Sequence, residues 1–403
     1  MSNSTQNTTS QELTFEEFKA ALLNDFRIAN ESRQASLLGR KEVLTGKAKF
    51  GIFGDGKEIA QLAMAKSFKN GDFRSGYYRD QTFMFATGML SIQEFFAQLY
   101  ADPSIEAEPC SAGRMMNGHY GTRSLNPDGT WKDLTAMKNS SADISPTGGQ
   151  MPRLLGLAYA SKLYRAFPEL ANEASLFTRN GNEVAFGTIG DASTSEGLFW
   201  ESINAAGVLQ IPMVISVWDD GYGISVPAKY QTTKQNISEI LGGFERTEDK
   251  NGYLILTGKG WDYAGLVELY EKAAHLARTE HVPVLVHVRE MTQPQGHSTS
   301  GSHERYKSKD RLTWEDEYDC IRKMKEWLIN AAIATSEELD AIEEESKKTV
   351  NQAKQNAWNA FLNGVKNETQ QTVNFINEAA ASSSNKVFIE RIAQSLSELS
   401  TPE

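Results

Sequence analysis

The sequence predicts an α/β fold in which a mostly parallel central sheet is flanked by helices. Three observations carry that prediction. Short apolar runs have the length of buried strands, amphipathic stretches of helical spacing alternate with them, and the first two runs, VAFGTIG (184–190) and IPMVISVW (211–218), leave 20 residues between them, enough for a crossover helix.

Residues 14–45 have helical spacing and lead into the basic stretch RKEVLTGKAK. Residues 50–150 are rich in glycine and aromatics and lack long periodic runs, so they read as loops and short elements, where function concentrates. MPRLLGLAYASKLYRAF (151–167) returns to helical spacing. The first apolar strand then precedes the helix EGLFWESINAAGVLQ (196–210), and the second precedes the helix WDYAGLVELYEKAAHLARTEH (261–281) and a third strand, PVLVHVREM (283–291). From 312 to 365 the chain is charged and helix-prone, the pattern of a solvated helical appendage. The last stretch, AAASSSNKVFIERIAQSLSELSTPE, begins like a flexible linker. The expected organisation is a disordered tail over 1–13, one large domain over 14–311, and a helical appendage with linker over 312–403.

The 403 residues are 40% hydrophobic, enough for a substantial core, and carry a net charge of −11. That acidity argues against a nucleic-acid partner and against an anionic membrane. Two cysteines far apart, Cys110 and Cys320, form neither a disulfide framework nor a zinc pattern, and suit reduced thiols in a cytoplasmic protein. No apolar run is long enough to span a bilayer, and the opening MSNSTQNTTSQ has the features of neither a secretion signal nor a transit peptide.

Parallel sheets bind ligands at the carboxyl ends of their strands, so three loops stand out: GDASTSEG (190–197), DDGYGIS (219–225) and TQPQGHSTSGSHERY (292–306). In the first, Ser193 and Glu196 have capping-box spacing at a helix start, whose free N–H groups suit a phosphate. Asp191 beside them would repel a bare phosphate, and a metal ion between the two resolves the conflict. In the second, Asp219 and Asp220 end an apolar strand and are followed by glycines that let the backbone turn and expose a carbonyl oxygen. Taken singly, each loop is also compatible with a helix-capping Asp or a solvated acidic turn. Together they lie on one crossover unit, so two acidic ends can face one ion.

GDASTSEG, Asn204, Pro212 and DDGYGIS resemble the thiamine-diphosphate motif, and the 29 positions from Asp191 to Asp220 match its spacing in the alpha subunits of 2-oxo acid dehydrogenases. Tyr78-Arg79 in SGYYRDQ, the segment ISPTGGQMPRLLGLAYASK (144–162) and the His-Ser loop QGHSTSGSHERY (295–306) extend the resemblance in the family's order. It implies the three-layer thiamine-diphosphate-binding fold with a helical C-terminal appendage. It also implies a metal, Mg2+, held by Asp191, the side chain of Asp220 and the backbone oxygen of Tyr222. Gly190, Ala192, Ser193, Tyr78, Arg79 and His297 would surround the diphosphate, with Thr147 and Ile224 against the rings. His297 and Arg79 are the candidate catalytic residues. His119 and His303 fall in matching regions, and Ser298 takes the place of a regulatory serine in animal relatives.

The chain departs from that pattern at Asp220, where the family has Asn, at Ala192, where it has Gly, and at Trp218, where branched-chain relatives have Arg. An extra carboxylate beside a diphosphate leaves the site strongly negative, so Arg79, His297 and helix dipoles are expected to offset it. No second thiamine-type domain is evident. The resemblance therefore implies a beta subunit, or a fused beta half, that supplies the activating glutamate, a heterotetramer, and a lipoyl acyltransferase partner. The implied reaction is oxidative decarboxylation of a 2-oxo acid, pyruvate or branched-chain, with reductive acylation of the lipoyl group. A transketolase-like activity and a non-catalytic scaffold are the rival readings.

Overall fold

The structure is a computed structural model and describes residues 14–399; the tail expected over 1–13 lies outside them. Among the described residues there are eight strands: β1 (Phe73–Ser75), β2 (Asn139–Ser140), β3 (Ala185–Gly190), β4 (Met213–Trp218), β5 (Tyr222–Gly223), β6 (Val226–Pro227), β7 (Leu254–Lys259) and β8 (Val284–Arg289). Six form one parallel sheet in the order β2-β1-β3-β4-β8-β7, and β5 with β6 makes a small antiparallel hairpin. The helices are α1 (Phe15–Leu44), α2 (Glu58–Ser67), α3 (Gln81–Thr87), α4 (Ile92–Leu99), α5 (Gln150–Ala166), α6 (Pro168–Glu173), α7 (Gly197–Leu209), α8 (Ile237–Ile240), α9 (Tyr263–Glu280), α10 (Lys309–Glu317), α11 (Cys320–Asn330), α12 (Ser336–Ala381) and α13 (Lys386–Ser397).

The α/β fold with a mostly parallel sheet and a helical C-terminal region is the one expected. Alternation along β4 explains the layers. Val214 and Trp218 pack into a cluster with α2 and α9, whereas Ile215 and Val217 face a second cluster with α5 and α7. Both faces are therefore apolar, and the strand reads as an unbroken hydrophobic run. Three strands of the six-stranded sheet escape the sequence pattern. β1 and β2 are too short for periodicity, and β7 is a half-exposed edge strand, LILTGK, whose apolar signal is diluted. The glycine-rich part also builds three helices, α2 to α4, and α2 is almost wholly buried.

Two C-terminal expectations are corrected. The charged stretch after 312 is not solvated throughout. α12 starts on a capping box between Thr335 and Glu338, and its Leu339, Val350 and Ala357 join the main core cluster. Trp358 packs edge-on against Tyr100 of the central domain, with ring centroids 4.9 Å apart. The core-facing positions recur at helical spacing, but dense charge on the other face hides them. The presumed linker is also structured: α12 runs through Ala381, turns over 382–385, and α13 folds back with Ala393 buried. Leu339→Ala is expected to cost about 2–5 kcal/mol in urea unfolding, the range for a fully buried leucine. A change under about 0.5 kcal/mol would return this helix to the status of an appendage.

Candidate active site

The loops that leave the carboxyl ends of β1, β3, β4 and β8 converge on a cavity of about 320 Å3. Every residue given a cofactor or metal contact by resemblance lines it. Tyr78 and Arg79 follow β1; Gly190 ends β3, and Asp191, Ala192 and Ser193 follow; Asp220, Tyr222 and Ile224 follow β4; His297 follows β8; Thr147 precedes α5. His119 and His303 do not line the cavity. His119 is buried behind Tyr78, with Nε2 3.1 Å from the Ser145 hydroxyl, and His303 sits beside Glu304. Ser298 is buried, its hydroxyl 2.7 Å from that of Ser300.

A buried arginine shapes the first loop. Arg74 donates to Asp80 and, through both terminal nitrogens, to Asp143 at 3.1 and 2.9 Å. Asp80 also accepts from the Thr188 hydroxyl on β3 at 2.5 Å. The turn is tight enough that a Cβ on Gly76 would lie 2.0 Å from the Asp80 carboxylate. Arg79 then reaches across the cavity, donating to the Phe53 carbonyl at 2.6 Å, to His297 Nδ1 at 2.9 Å and to the His297 carbonyl at 3.0 Å. A guanidinium has five N–H donors, so two remain. Because arginine can only donate, Nδ1 of His297 must accept, and the imidazole proton sits on Nε2. Burial, then the Arg79 charge, hold His297 down to about 4.

The loop after β3 differs from expectation. No capping box forms at Ser193 and Glu196. Residues Ala192–Ser195 make a 3-10 turn, held by the Thr194 amide and hydroxyl on the Asp191 carbonyl, and α7 begins only at Gly197 with Glu196 in extended conformation. The amides that begin this turn, those of Ala192 and Ser193, have no intrahelical acceptor.

The loop after β4 separates its two acids. Asp219 bonds His287 Nε2 on β8 at 2.9 Å and the Gly221 amide at 3.0 Å, so it is spent on structure. Asp220 faces the cavity, with Oδ1 accepting from the Tyr222 amide at 3.1 Å and Oδ2 from Lys57 at 2.8 Å. Arg311 holds the Asp220 carbonyl at 2.8 Å. Lys307, buried in the wall, is saturated by Glu315 at 2.7 and 2.8 Å and by the Gln293 carbonyl. Sequence reasoning missed Lys57, Lys307 and Arg311. Lys57 is 163 positions from Asp220, and no local pattern marks it. Arg79 helps offset the second carboxylate as expected, and Lys57, which the expectation did not include, contributes more.

Ile224 has φ of 59°, a left-handed conformation rare for a β-branched residue, and is 62% exposed at the mouth. Trp218, at the place of an arginine in branched-chain relatives, is buried in the cavity lining with its Nε1 unpartnered.

A divalent cation fits this arrangement. Burial and the facing Asp220 and Asp219 carboxylates push the Asp191 carboxyl well above its ordinary value, with Lys57 offsetting part of the effect. Burial acts the same way on Asp220, but Lys57 and then Arg79 outweigh it and hold that carboxyl down. Asp191 is nearly buried, and no side-chain donor reaches its carboxylate among the described residues. Among those residues no cluster of three His, Cys, Asp or Glu side chains forms, so a third ligand from them would be a neutral oxygen, backbone or side chain.

The profile of the family described as "Dehydrogenase E1 component" matches residues 32–365. The chain belongs to that family. As a dehydrogenase component it is an oxidoreductase subunit, and the E1 family implies thiamine diphosphate as cofactor. Similar proteins include the 2-oxoisovalerate dehydrogenase subunit alpha of Bacillus subtilis (strain 168), 25% identical over 319 residues that cover 78% of this chain and 84% of the relative. The mitochondrial 2-oxoisovalerate dehydrogenase subunit alpha of Homo sapiens is 26% identical over 311 residues, 76% of this chain and 60% of the relative. A mitochondrial alpha 1 subunit of Arabidopsis thaliana is 24% identical over 314 residues, 77% and 58% respectively. The chain thus spans about three fifths of these mitochondrial E1 relatives.

His297 gives a pH prediction for the cofactor-free E1 protein. Its folded value near 4 lies below the ordinary 6.5. Between those values the unfolded chain binds the proton and the folded chain does not. The stability contribution is therefore complete above pH about 6.5 and is lost as pH falls towards 4. Wild-type protein should lose more stability over that interval than His297→Gln in urea titrations. A His297 imidazole that titrates near 6.5 by NMR would contradict the buried, arginine-paired geometry.

Proposed function

We propose that this chain is the alpha subunit of a thiamine-diphosphate-dependent 2-oxo acid dehydrogenase, which oxidatively decarboxylates its substrate and reductively acylates a lipoyl group on an acyltransferase partner. The observation that supports this is the convergence on one cavity of every residue assigned a cofactor or metal contact, with Asp191 and Asp220 both lining it. Carboxylate and carbonyl oxygens beside a diphosphate suit Mg2+, held by Asp191, the Asp220 side chain and the Tyr222 carbonyl. When bound, thiamine diphosphate supplies the nucleophilic carbon and the electron sink for loss of carbon dioxide.

The chain's own groups bind and orient. The Ala192 and Ser193 amides, the two spare N–H groups of Arg79 and the Nε2–H of His297 donate to phosphate oxygens. Gly190 leaves room at the end of β3, where a Cβ would stay 3.7 Å from the Tyr77 hydroxyl. Thr147 and Ile224 flank the rings. His297 and Arg79, at the cavity wall, also stabilise negative charge that develops on the substrate.

No glutamate is among the residues that line the cavity; Ile224 in its lining is exposed, and Val226 and Tyr230, which follow it in the chain, are exposed apolar side chains too. Exposed apolar side chains beside an incomplete site suit a beta subunit, or fused beta half, that covers the mouth and brings the activating acid, in a heterotetramer of two copies each. Similarity to 2-oxoisovalerate dehydrogenase subunits favours a branched-chain substrate over pyruvate. A cytoplasmic location accords with the two free thiols and with the bacterial relative.

Calorimetric titration with thiamine diphosphate and Mg2+, beta partner present, should show binding that Asp191→Ala weakens by roughly tenfold or more. Decarboxylation should run faster with 2-oxoisovalerate than with pyruvate or 2-oxoglutarate. No binding at millimolar cofactor would favour a scaffold role, and ketose transfer without lipoyl acylation would favour the transketolase-like reading. Ile224→Gly should relieve about 1 kcal/mol of left-handed strain in the free protein. The same change should cost about tenfold in cofactor affinity through lost apolar contact. A cofactor affinity equal to wild type would remove Ile224 from the site.

A further inference from the structure

Lys57 lies behind the cavity and has no part in the contacts assigned above. Its side chain is 1% exposed. The ammonium donates to Asp220 Oδ2 at 2.8 Å, to the Thr292 carbonyl at 2.9 Å and to Gln293 Oε1 at 2.7 Å. An ammonium has three hydrogens, and all three are engaged, so none is left for a phosphate or a substrate. The preceding turn is built around this placement. Gly56 has φ of 84°, and a Cβ there would lie 2.1 Å from the Thr292 carbonyl oxygen, so only glycine lets the 54–57 turn sit against the loop after β8.

Ordering a lysine side chain and removing its charge from water are both costly, and among the described residues the only carboxylate the ammonium touches is Asp220. The other oxygen of Asp220 is held by the Tyr222 amide, and Asp191 faces the same space with no side-chain donor. One ammonium therefore stands against two carboxylates, and the trio carries the charge of a single carboxylate. The carboxylates line the cavity and the ammonium does not, so the cation balances the site without occupying it.

We propose that Lys57 is a positioning residue that acts as the built-in counter-ion of the metal site. It fixes the rotamer of Asp220 and cancels its charge, and in doing so it sets how the cavity divides its affinity between a divalent cation and a diphosphate. The inference rests on the metal and thiamine-diphosphate reading of this cavity.

The test is a double-mutant cycle on the full chain with its beta partner: wild type, Lys57→Met, Asp220→Asn, and both together. Mn2+ binding is read by electron paramagnetic resonance without cofactor, and thiamine diphosphate binding by calorimetry at saturating Mn2+. Lys57→Met removes the one cation bonded to Asp220 and makes the pair of carboxylates more negative, so Mn2+ should bind about tenfold more tightly and the diphosphate more weakly. Asp220→Asn leaves an uncompensated ammonium, so Mn2+ should bind about tenfold more weakly. The double variant should return to within about threefold of wild type in both measurements, because the two opposite charge changes cancel. A purely structural lysine would shift both ligands in the same direction.

Single changes that move Mn2+ affinity the same way, or a double variant that stays well outside threefold of wild type, overturn the proposal. If Lys57→Met does not fold, recovery of folding in the double variant supports the pair, and continued misfolding overturns it. Cofactor that binds without dependence on Mn2+ overturns the counter-ion role and leaves the functional reading. The expected Mn2+ shifts without any cofactor binding do the reverse. A wild-type chain that binds neither overturns both.

Discussion

Charge that lies out of reach of water has to be paired, and this requirement organises everything around the cavity. Arg74 is fully buried, and it is tolerable there only because Asp80 and Asp143 meet it on two sides. That triad in turn fixes the loop after β1 and so aims Arg79. Asp219 is tied to His287 across β4 and β8, which leaves Asp220 as the acid turned inward. Lys307 is enclosed by Glu315, and Glu315 also holds Arg311, which grips the carbonyl of Asp220. Each pair satisfies its own desolvation cost and at the same time fixes a neighbour. The positions of the site residues are thus a by-product of electrostatic closure.

The same closure separates groups that are used up from groups that are free. Lys57 and Lys307 have every hydrogen engaged. Arg79 keeps two N–H groups, His297 keeps Nε2–H, and the amides at 192 and 193 open a 3-10 turn with no acceptor behind them. Positive charge at the back of the cavity is therefore rigid and committed. The donors at the front are the ones a ligand can take without breaking an existing bond.

Much of this was legible in the sequence because β3 and β4 are unbroken apolar runs that end in acids, and a strand buried on both faces announces its own end. Asp191 and Asp220 could be paired from that fact and from the crossover length between them. The His-Ser loop and the Tyr-Arg pair came from resemblance, since β1, which delivers Tyr78 and Arg79, is three residues long and has no period to detect. Lys57 was not legible at all: a lone lysine after Gly-Asp-Gly looks like a solvated turn, and its partner is known only once the sheet has brought the loops together. The capping box at Ser193 failed for a local reason. The Thr194 hydroxyl bonds back to the Asp191 carbonyl and tightens the backbone into a 3-10 turn, which delays the helix. In α12 the error ran the other way, with abundant charge on one face concealing Leu339 and Val350 on the other.

The strand order has a consequence for how the protein is made on the ribosome. β7 precedes β8 in the chain, yet it sits at the sheet edge and pairs with no other strand of the sheet than β8, which is inserted between β7 and β4. During synthesis β7 must therefore wait, unpaired, until β8 has emerged, and the segment that carries His297 emerges immediately behind it. Completion of the sheet and completion of the cavity wall become one late event. A nascent chain that stalls before that point exposes a half-finished sheet edge and an open acidic pocket together, which makes this the interval in which a chaperone has most to protect.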